Sequence, residues 1–416
     1  MARIKISGGS PLSGEICVSG AKNAALPAMF ACLLSEETCE LRGLPNLRDV
    51  ESAADALRTM GAECRNENGV MTIRARDIKT REMPYTLVKT MRASILALGP
   101  LLARFGSARV SLPGGCAIGA RPVDMHLDGL RRMGAHIAME DGDIVARAGR
   151  LRGARIVLPQ PTVTGSENLM MAAALADGET IIENAAREPE IADLASFLNA
   201  MGADVRGAED GVLRISGKTR LRGAEYAAPP DRIEAGTYLC AVAACGGEIV
   251  LHNAGARYLR DLRGKLAAAG ATLTREDDSL RVVMRRRPRA TDAATAPYPG
   301  FPTDMQAQWM AVNAVAEGAA VIVENIFENR FMHVPELIRA GARIELHRNT
   351  AVVRGAESLS GAPMMATDLR ASASLVVAAL AARGESVIDR IYHLERGYEN
   401  MPGKLRALGA DVQKIP

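Results

Sequence analysis

The sequence predicts an α/β protein of two domains, built from six copies of one unit. Three observations carry that expectation. A Gly-Ala pair closes a helical pattern six times, at intervals of about 70 residues, which is an internal repeat longer than those of common solenoids. A run rich in Ala, Leu and Met recurs at the same spacing and leads into a β-rich strand. A Leu-x-Gly phrase opens a short strand ahead of several of those runs.

The Gly-Ala pairs are Gly61-Ala62, Gly134-Ala135, Gly202-Ala203, Gly270-Ala271, Gly341-Ala342 and Gly409-Ala410. Each glycine suits a helix C-terminus, and the polar-apolar alternation after it suits a half-buried strand. The apolar runs with their strands are Ala24–Leu41, Ser94–Val110, Glu167–Ile182, Ala235–Val250, Met305–Ile322 and Ser372–Ile388. Helices this apolar belong inside a domain. Each unit therefore reads helix, strand, helix, strand, strand. The opening strands start at Leu12-Ser13-Gly14, Leu151-Arg152-Gly153, Leu221-Arg222-Gly223 and Leu359-Ser360-Gly361. The sixth unit ends at Pro416 without a following strand, while Ile4–Val18 has strand character and no unit before it. The two ends are thus expected to complete one unit together. This gives a domain over 21–229 and a second from 1–20 and 230–416. The chain would cross near Ser19–Lys22 and at Ala227-Ala228-Pro229-Pro230, since proline pairs suit linkers.

Composition narrows the function. Of 416 residues, 48% are hydrophobic and only 3% aromatic, so the core rests on aliphatic side chains. A net charge of +3 with acids and bases interspersed argues against a nucleic-acid partner. Arg285–Arg289 reads as a solvated strand end. The seven cysteines are scattered and include no CxxC, so neither a disulfide framework nor a zinc site is indicated. The start MARIKISGGS lacks a signal-peptide core, and the longest apolar runs, such as Ala24–Leu34, are too short to span a bilayer. A soluble cytoplasmic protein with no membrane partner is expected, and no obligate protein partner is evident.

Chemistry gathers in two places. Ser111–His126, SLPGGCAIGARPVDMH, places Cys116 among glycines and near Arg121, a setting that favours thiolate character. The glycines make it a loop that can move or let its backbone approach a ligand. The second place is the start of each apolar helix. There stand Lys22-Asn23, Arg92, Thr164–Glu167, Asp231-Arg232, Thr303-Asp304 and Asp368-Leu369-Arg370. Asp or Thr alone reads as an N-cap. Basic residues at four of the six starts oppose the helix dipole and point to anion binding. Such starts facing an interdomain cleft would hold a polyanionic substrate.

Long polar stretches now matter: SGAKNAALP (Ser19–Pro27), LVKTMRAS (Leu87–Ser94), SLPGGCAIGARPVD (Ser111–Asp124), ENAAREPEI (Glu183–Ile191), FPTDMQAQ (Phe301–Gln308), FENRFMHVPEL (Phe327–Leu337), ATDLRASASL (Ala366–Leu375) and DRIYHLERGYE (Asp389–Glu399). With them, the chain resembles the enolpyruvyl transferases, and among these the UDP-N-acetylglucosamine 1-carboxyvinyltransferases that begin peptidoglycan precursor synthesis. The resemblance runs nearly end to end. It implies a two-domain inside-out α/β barrel of six βαβαββ-type units. It also implies transfer of the enolpyruvyl group of phosphoenolpyruvate to the sugar 3-hydroxyl by addition and elimination, with phosphate released. No metal or organic cofactor is implied, though Cys116 could carry a 2-(S-cysteinyl)pyruvate adduct.

By the same resemblance Cys116 is the acid that protonates the methylene carbon, and a thiol suits the task because its pKa can be set near working pH. Asp304 is the base for the sugar hydroxyl. Lys22, Arg121 and Arg396 hold the phosphate and carboxylate of phosphoenolpyruvate, with Asn23, Asp368 and Arg370 beside them. Asn23, Arg92, Arg121, Pro122, Val123, Asp124, Met125, Asp304 and Ile326 match nucleotide-sugar positions. Alkylation of Cys116 by fosfomycin is implied as well. His126 stays open between a uracil contact and a structural histidine, Glu188 and Glu190 have no assigned role, and Trp309 reads as core. Two departures stand out: Arg48 replaces a usual lysine, and the loop Gln160–Gly165 carries its glycine one place late. Rival readings are a shikimate-pathway enolpyruvyl transferase, an RNA 3-terminal phosphate cyclase, a silent nucleotide-sugar-binding paralogue and a repeat scaffold. The presence of Cys116, Asp304, Lys22 and Arg396 opposes the paralogue.

Overall fold

A computed structural model describes residues 2–89, 91–112 and 123–416. The chain divides into two bodies. One is formed by both ends of the chain, up to Ser19 and from Pro230 onward, and the other by the described residues between Gly20 and Pro229. Among the described residues there are six four-stranded sheets, all with one topology. A short strand pairs parallel to a second, which pairs antiparallel to a third, which carries the fourth at the sheet edge.

In the middle body the three sheets run as follows. The first is ordered Glu225–Ala227, Thr38–Arg42, Val70–Arg74, Glu63–Glu67. The second is Glu82–Met83, Ser107–Ser111, Asp143–Arg147, His136–Glu140. The third is Arg155–Val157, Glu179–Glu183, Val212–Ser216, Asp204–Arg206. The last strand of the body, Glu225–Ala227, thus returns to the first sheet, with Tyr226 opposite Leu41, and closes the set.

The terminal body is closed by the N-terminus. Arg3–Gly8 lies between Gly384–Asp389 and Asp411–Ile415, with Ile4 opposite both Ile388 and Lys414. The next strand, Leu12–Cys17, pairs parallel with Gly247–His252 in a neighbouring sheet. The two chain ends therefore share one sheet, and residues 3–17 serve two.

Each unit buries one helix. In the terminal body these are Arg232–Cys245, Gln306–Ala314 and Leu369–Ala381, which pack against one another. Every residue from Arg232 to Ala243 is buried, as a helix apolar on all sides must be. Trp309 is fully buried there, and its Nε1 donates to the Thr291 carbonyl at 2.9 Å. In the middle body the buried helices are Lys22–Ala31, Leu98–Phe105 and Val163–Ala173. The last two approach so closely that a Cβ on Gly99 would meet the Asn168 carbonyl at 2.4 Å. Gly99 N–H instead donates to Asn168 Oδ1 at 2.7 Å.

The six repeated glycines follow the outer helices. All six are left-handed, with φ between 82° at Gly409 and 110° at Gly270. That conformation ends a helix and turns the chain into the next strand at no steric cost only for glycine. Among the described residues no helix is long and apolar enough to cross a membrane.

Candidate functional site

The fifth and sixth buried helices begin alike, with Thr303-Asp304 and Thr367-Asp368. Asp368 is extended, and its Oδ1 accepts from Arg370 N at 2.9 Å and Ala371 N at 3.0 Å. It is an N-cap. The fourth helix is capped in the same way by Asp231. Asp304 differs. Pro302 takes the N-cap place two residues before Asp304, and Met305 N–H closes the turn on the Pro302 carbonyl at 2.9 Å. Asp304 then lies inside a 3-10 turn, and its carboxylate is free to pair with side chains instead.

Two arginines take it. Arg370 donates from Nε at 3.0 Å and Nη2 at 2.7 Å to Asp304 Oδ2. Arg330 donates from Nη2 to Oδ1 at 2.7 Å. Both arginine side chains are 5% exposed and the Asp304 side chain 26%, so Asp304 is the most exposed member of this cluster. Burial pushes the Asp304 carboxyl upward, but Arg370 and then Arg330 outweigh it and hold the group well below the usual carboxylate range. Asp304 is ionised at every physiological pH.

The arginines are themselves positioned. Arg370 Nη1 donates to the Tyr398 hydroxyl at 3.2 Å, with its guanidinium carbon 5.6 Å from that ring's centre. The Tyr398 hydroxyl also meets Thr237 Oγ1 at 2.9 Å and Gln308 Nε2 at 3.2 Å. Arg330 Nη1 donates to Thr303 Oγ1 at 2.9 Å, and Thr303 donates onward to buried Glu324. Glu324 also accepts the backbone N–H of Ile326 at 2.8 Å. Arg396 ends a 3-10 turn, and the next residue, Gly397, packs on the start of the sixth helix, where a Cβ would meet a Leu369 methyl at 2.6 Å. Asp304, Asp368, Arg370, Arg396 and Ile326 thus belong to the terminal body, with Asp304 and Arg370 in direct contact. Asp368, expected among the anion-binding residues, commits Oδ1 to its helix.

In the middle body Lys22 opens the first buried helix, which has no side-chain cap. Its Nζ pairs with Asp49 Oδ2 at 3.2 Å, both groups largely buried. Asn23 and Arg48 are exposed. Arg92 opens a 3-10 turn ahead of the second helix. Val123 precedes the helix Asp124–Arg132, with Asp124 exposed and Met125 half-buried. His126 is buried, with Asn168 Nδ2 3.0 Å from its Nδ1 and Thr164 Oγ1 3.4 Å from its Nε2. Burial first and Arg92 second push its pKa down to about 4, which favours the neutral imidazole at neutral pH. Glu167 is buried near Glu190 and Glu188, and burial followed by those two carboxylates raises its carboxyl well above the usual range. In the late-glycine loop, Thr162 caps the third helix by accepting from Gly165 N at 3.3 Å. Cys116, Arg121 and Pro122 lie outside the described residues.

Sequence reasoning gave no role to Arg330, Tyr398 or Glu324, and read Thr303 only as part of a helix start. Arg330 stood inside FENRFMHVPEL, and Thr303 beside Asp304, so both were within recognised stretches. Among the described residues no group of three or more His, Cys, Asp or Glu side chains could hold a metal ion.

Comparison with known proteins gives a family and a fold. The sequence pattern of the EPSP synthase (3-phosphoshikimate 1-carboxyvinyltransferase) family matches residues 6–405. The enolpyruvyl transferase NikO from Streptomyces tendae is similar over 100% of this chain and 99% of its own, with 25% identity and a TM-score of 0.89. EPSP synthase from Acinetobacter baumannii is similar over 100% of both chains, with 19% identity and a TM-score of 0.78. These structures share the two-domain inside-out α/β barrel, and so does this chain.

Proposed function

This chain belongs to the EPSP synthase family of enolpyruvyl transferases, and we propose that its acceptor is UDP-N-acetylglucosamine and its product the 3-O-enolpyruvyl sugar nucleotide. The reaction would begin peptidoglycan precursor synthesis in the cytoplasm. The observation that carries the reaction is Asp304. It is a helix-start carboxylate that caps nothing, is held ionised by Arg330 and Arg370, and is more exposed than either arginine. The choice of acceptor rests on the Cys116 stretch, SLPGGCAIGARPVD, and on the other matching stretches.

In this mechanism the Cys116 thiol gives its proton to the methylene carbon of phosphoenolpyruvate. The adjacent carbon becomes electrophilic, the sugar 3-hydroxyl adds to it, and Asp304 takes the hydroxyl proton. The tetrahedral adduct then loses a proton from the new methyl group to the cysteine thiolate, and the C–O bond to phosphate breaks. Lys22, Arg121, Arg370 and Arg396 hold the phosphate and carboxylate, for which lysine offers a point charge and arginine a fork. With two arginines on it Asp304 is a weak base. The anions of phosphoenolpyruvate compete for Arg370, and as that contact loosens, the Asp304 pKa rises toward a useful range.

Phosphate release from phosphoenolpyruvate tests the reading. Release is expected only with UDP-N-acetylglucosamine and is abolished in Cys116→Ala. Release with shikimate 3-phosphate instead would replace the acceptor, a reading that the family name supports. Fosfomycin should inactivate the enzyme progressively by alkylating Cys116; normal turnover after prolonged saturating exposure would remove the thiol from the mechanism.

A further inference from the structure

Glu324 follows the strand Ala319–Val323 and is 2% exposed, yet its carboxylate receives four donors from three segments of the chain. Thr295 Oγ1 donates at 3.0 Å, Thr303 Oγ1 reaches both oxygens at 3.0 and 2.9 Å, Ile326 N donates at 2.8 Å and Phe327 N at 3.1 Å. Three of these donors, Thr295 Oγ1, Ile326 N and Phe327 N, converge on Oε1, and Thr303 Oγ1 is the donor that reaches Oε2. A buried acidic side chain held only by neutral donors is costly unless every contact is made.

The Thr303 hydroxyl has one proton, and it goes to Glu324. Its oxygen must then accept, and it accepts from Arg330 Nη1 at 2.9 Å. The direction of the chain is fixed: Arg330 to Thr303 to Glu324. Arg330's other terminal nitrogen faces Asp304. The guanidinium plane that meets Asp304 is therefore oriented by Glu324, two bonds away. The same carboxylate fixes the backbone at Ile326.

We propose that Glu324 is a positioning residue for the transfer reaction. It orients Arg330 on Asp304 through Thr303, and it holds the Ile326–Phe327 turn against the same site. The inference rests on the reading of Asp304 as the hydroxyl base. Glu324 touches neither the reacting atoms nor Asp304 itself. Its effect is to set how firmly one of the two arginines grips the base.

Glu324→Gln is the informative variant. It preserves shape and keeps an oxygen for Thr295, Ile326 and Phe327. It puts an amide N–H2 where Thr303 now donates, in competition with Arg330 for the Thr303 lone pairs. Arg330 is then held less firmly on Asp304. The charges that face Asp304 are Arg330 and Arg370. Behind them lie Tyr398 and Asp231 beside Arg370, and His333 near Arg330, with Asp368 acting on His333 in turn. A weaker Arg330 contact raises the Asp304 pKa, so the acid limb of the kcat profile moves to higher pH.

The experiment compares wild type, Glu324→Gln, Thr303→Val, Thr303→Ser and Arg330→Lys by phosphate release across pH. For Glu324→Gln and Thr303→Val, kcat should fall on the order of 10- to 100-fold, the size expected of a misplaced catalytic group, while the phosphoenolpyruvate KM stays within about 3-fold. The acid limb should move upward in both. Thr303→Ser should restore the wild-type profile, and adding Glu324→Gln to Arg330→Lys should cost little more than Arg330→Lys alone. An unmoved acid limb in an active, folded variant, or effects that multiply with Arg330→Lys, would overturn the role of Glu324. Should Glu324→Gln fail to fold, Thr303→Val decides alone, because it cuts the same relay and leaves the other Glu324 contacts. A wild type that releases no phosphate with any acceptor is a different result: it removes the proposed function, and this inference with it.

Discussion

The starts of the fifth and sixth buried helices share the residues Thr-Asp and the same place in their units, yet their aspartates do different work. Asp368 is extended and spends its carboxylate on two backbone N–H groups of its own helix. Asp304 lies two residues after the N-cap Pro302, and spends its carboxylate on Arg330 and Arg370. Arg330 reaches it from a loop, and Arg370 from the first turn of the other helix. The difference teaches that the repeat supplies equivalent positions, while a single proline and two distant arginines decide which position becomes chemical. A cap satisfies donors its own helix provides. A reactive carboxylate needs partners its own helix does not provide.

The sharpest way to break this comparison is the same substitution at both places. Asp304→Asn should lower the turnover of phosphate release by about 10²- to 10⁴-fold, the contribution of a general base. It also leaves two buried guanidinium groups without their anion, so the melting temperature should fall. Asp368→Asn should lose little of either, because asparagine caps a helix about as well as aspartate. Comparable losses of activity in the two variants would mean that Asp368 also takes part in the chemistry and that capping is not its main role.

The fourth helix extends the comparison to a buried ion pair. Glu234, in its first turn, is 1% exposed, accepts Ser19 N at 2.7 Å and pairs with Lys404 Nζ at 2.5 Å. Burial pushes its pKa up to about 7, and Lys404 only partly counters this. The folded pKa is thus above the unfolded value of 4.5, so the folded state binds more protons between pH 4.5 and pH 7. Stability from this group is full below pH 4.5 and falls as pH rises through 7; the shift is worth about 3 kcal/mol. Lys404→Met removes the cation that partly opposes the burial cost. Its loss in melting temperature should be much larger at pH 8 than at pH 5. An equal loss at both would show that Glu234 is not protonated in the folded variant at pH 5.

Much of the fold was legible because it rests on local rules. The Gly-Ala pairs could be read as helix ends since left-handed backbone is nearly glycine's alone, and the alternation after each one marked a strand. That the two ends share a unit could be read from a missing strand at one end and a surplus strand at the other. The chemical cluster was less legible. Asp304 and Arg370 were singled out at helix starts and then given roles by resemblance. Glu324 and Thr303 carry no local signal, since one reads as a strand end and the other as a cap. Their link exists only when residues 295, 303, 324 and 330 meet in space. His126 was undecidable from sequence because its burial under Asn168 and Thr164 is tertiary.

The smallest effect separates a strong cap from a weak one. Asp368 offers a charged oxygen to two N–H groups at 2.9 and 3.0 Å. Thr162, at the start of the third helix, offers a neutral hydroxyl to one, Gly165 N, at 3.3 Å. The longer, uncharged bond contributes less. Asp368→Ala should cost about 1–2 kcal/mol and Thr162→Ala about 0.5 kcal/mol, with Thr162→Ser near wild type. Gly165 is fixed by the same contact, because a Cβ there would lie 2.4 Å from the Thr162 methyl. With two bodies in one chain, global unfolding need not be two-state, so local amide exchange is the better measure. In Thr162→Ala the Gly165 amide should exchange a few-fold faster while amides deeper in that helix keep their protection. In Asp368→Ala the Arg370 and Ala371 amides should accelerate more. Equal acceleration at the two helix starts would mean that charge adds nothing to a cap here, and that Asp368 is no better placed than a threonine would be.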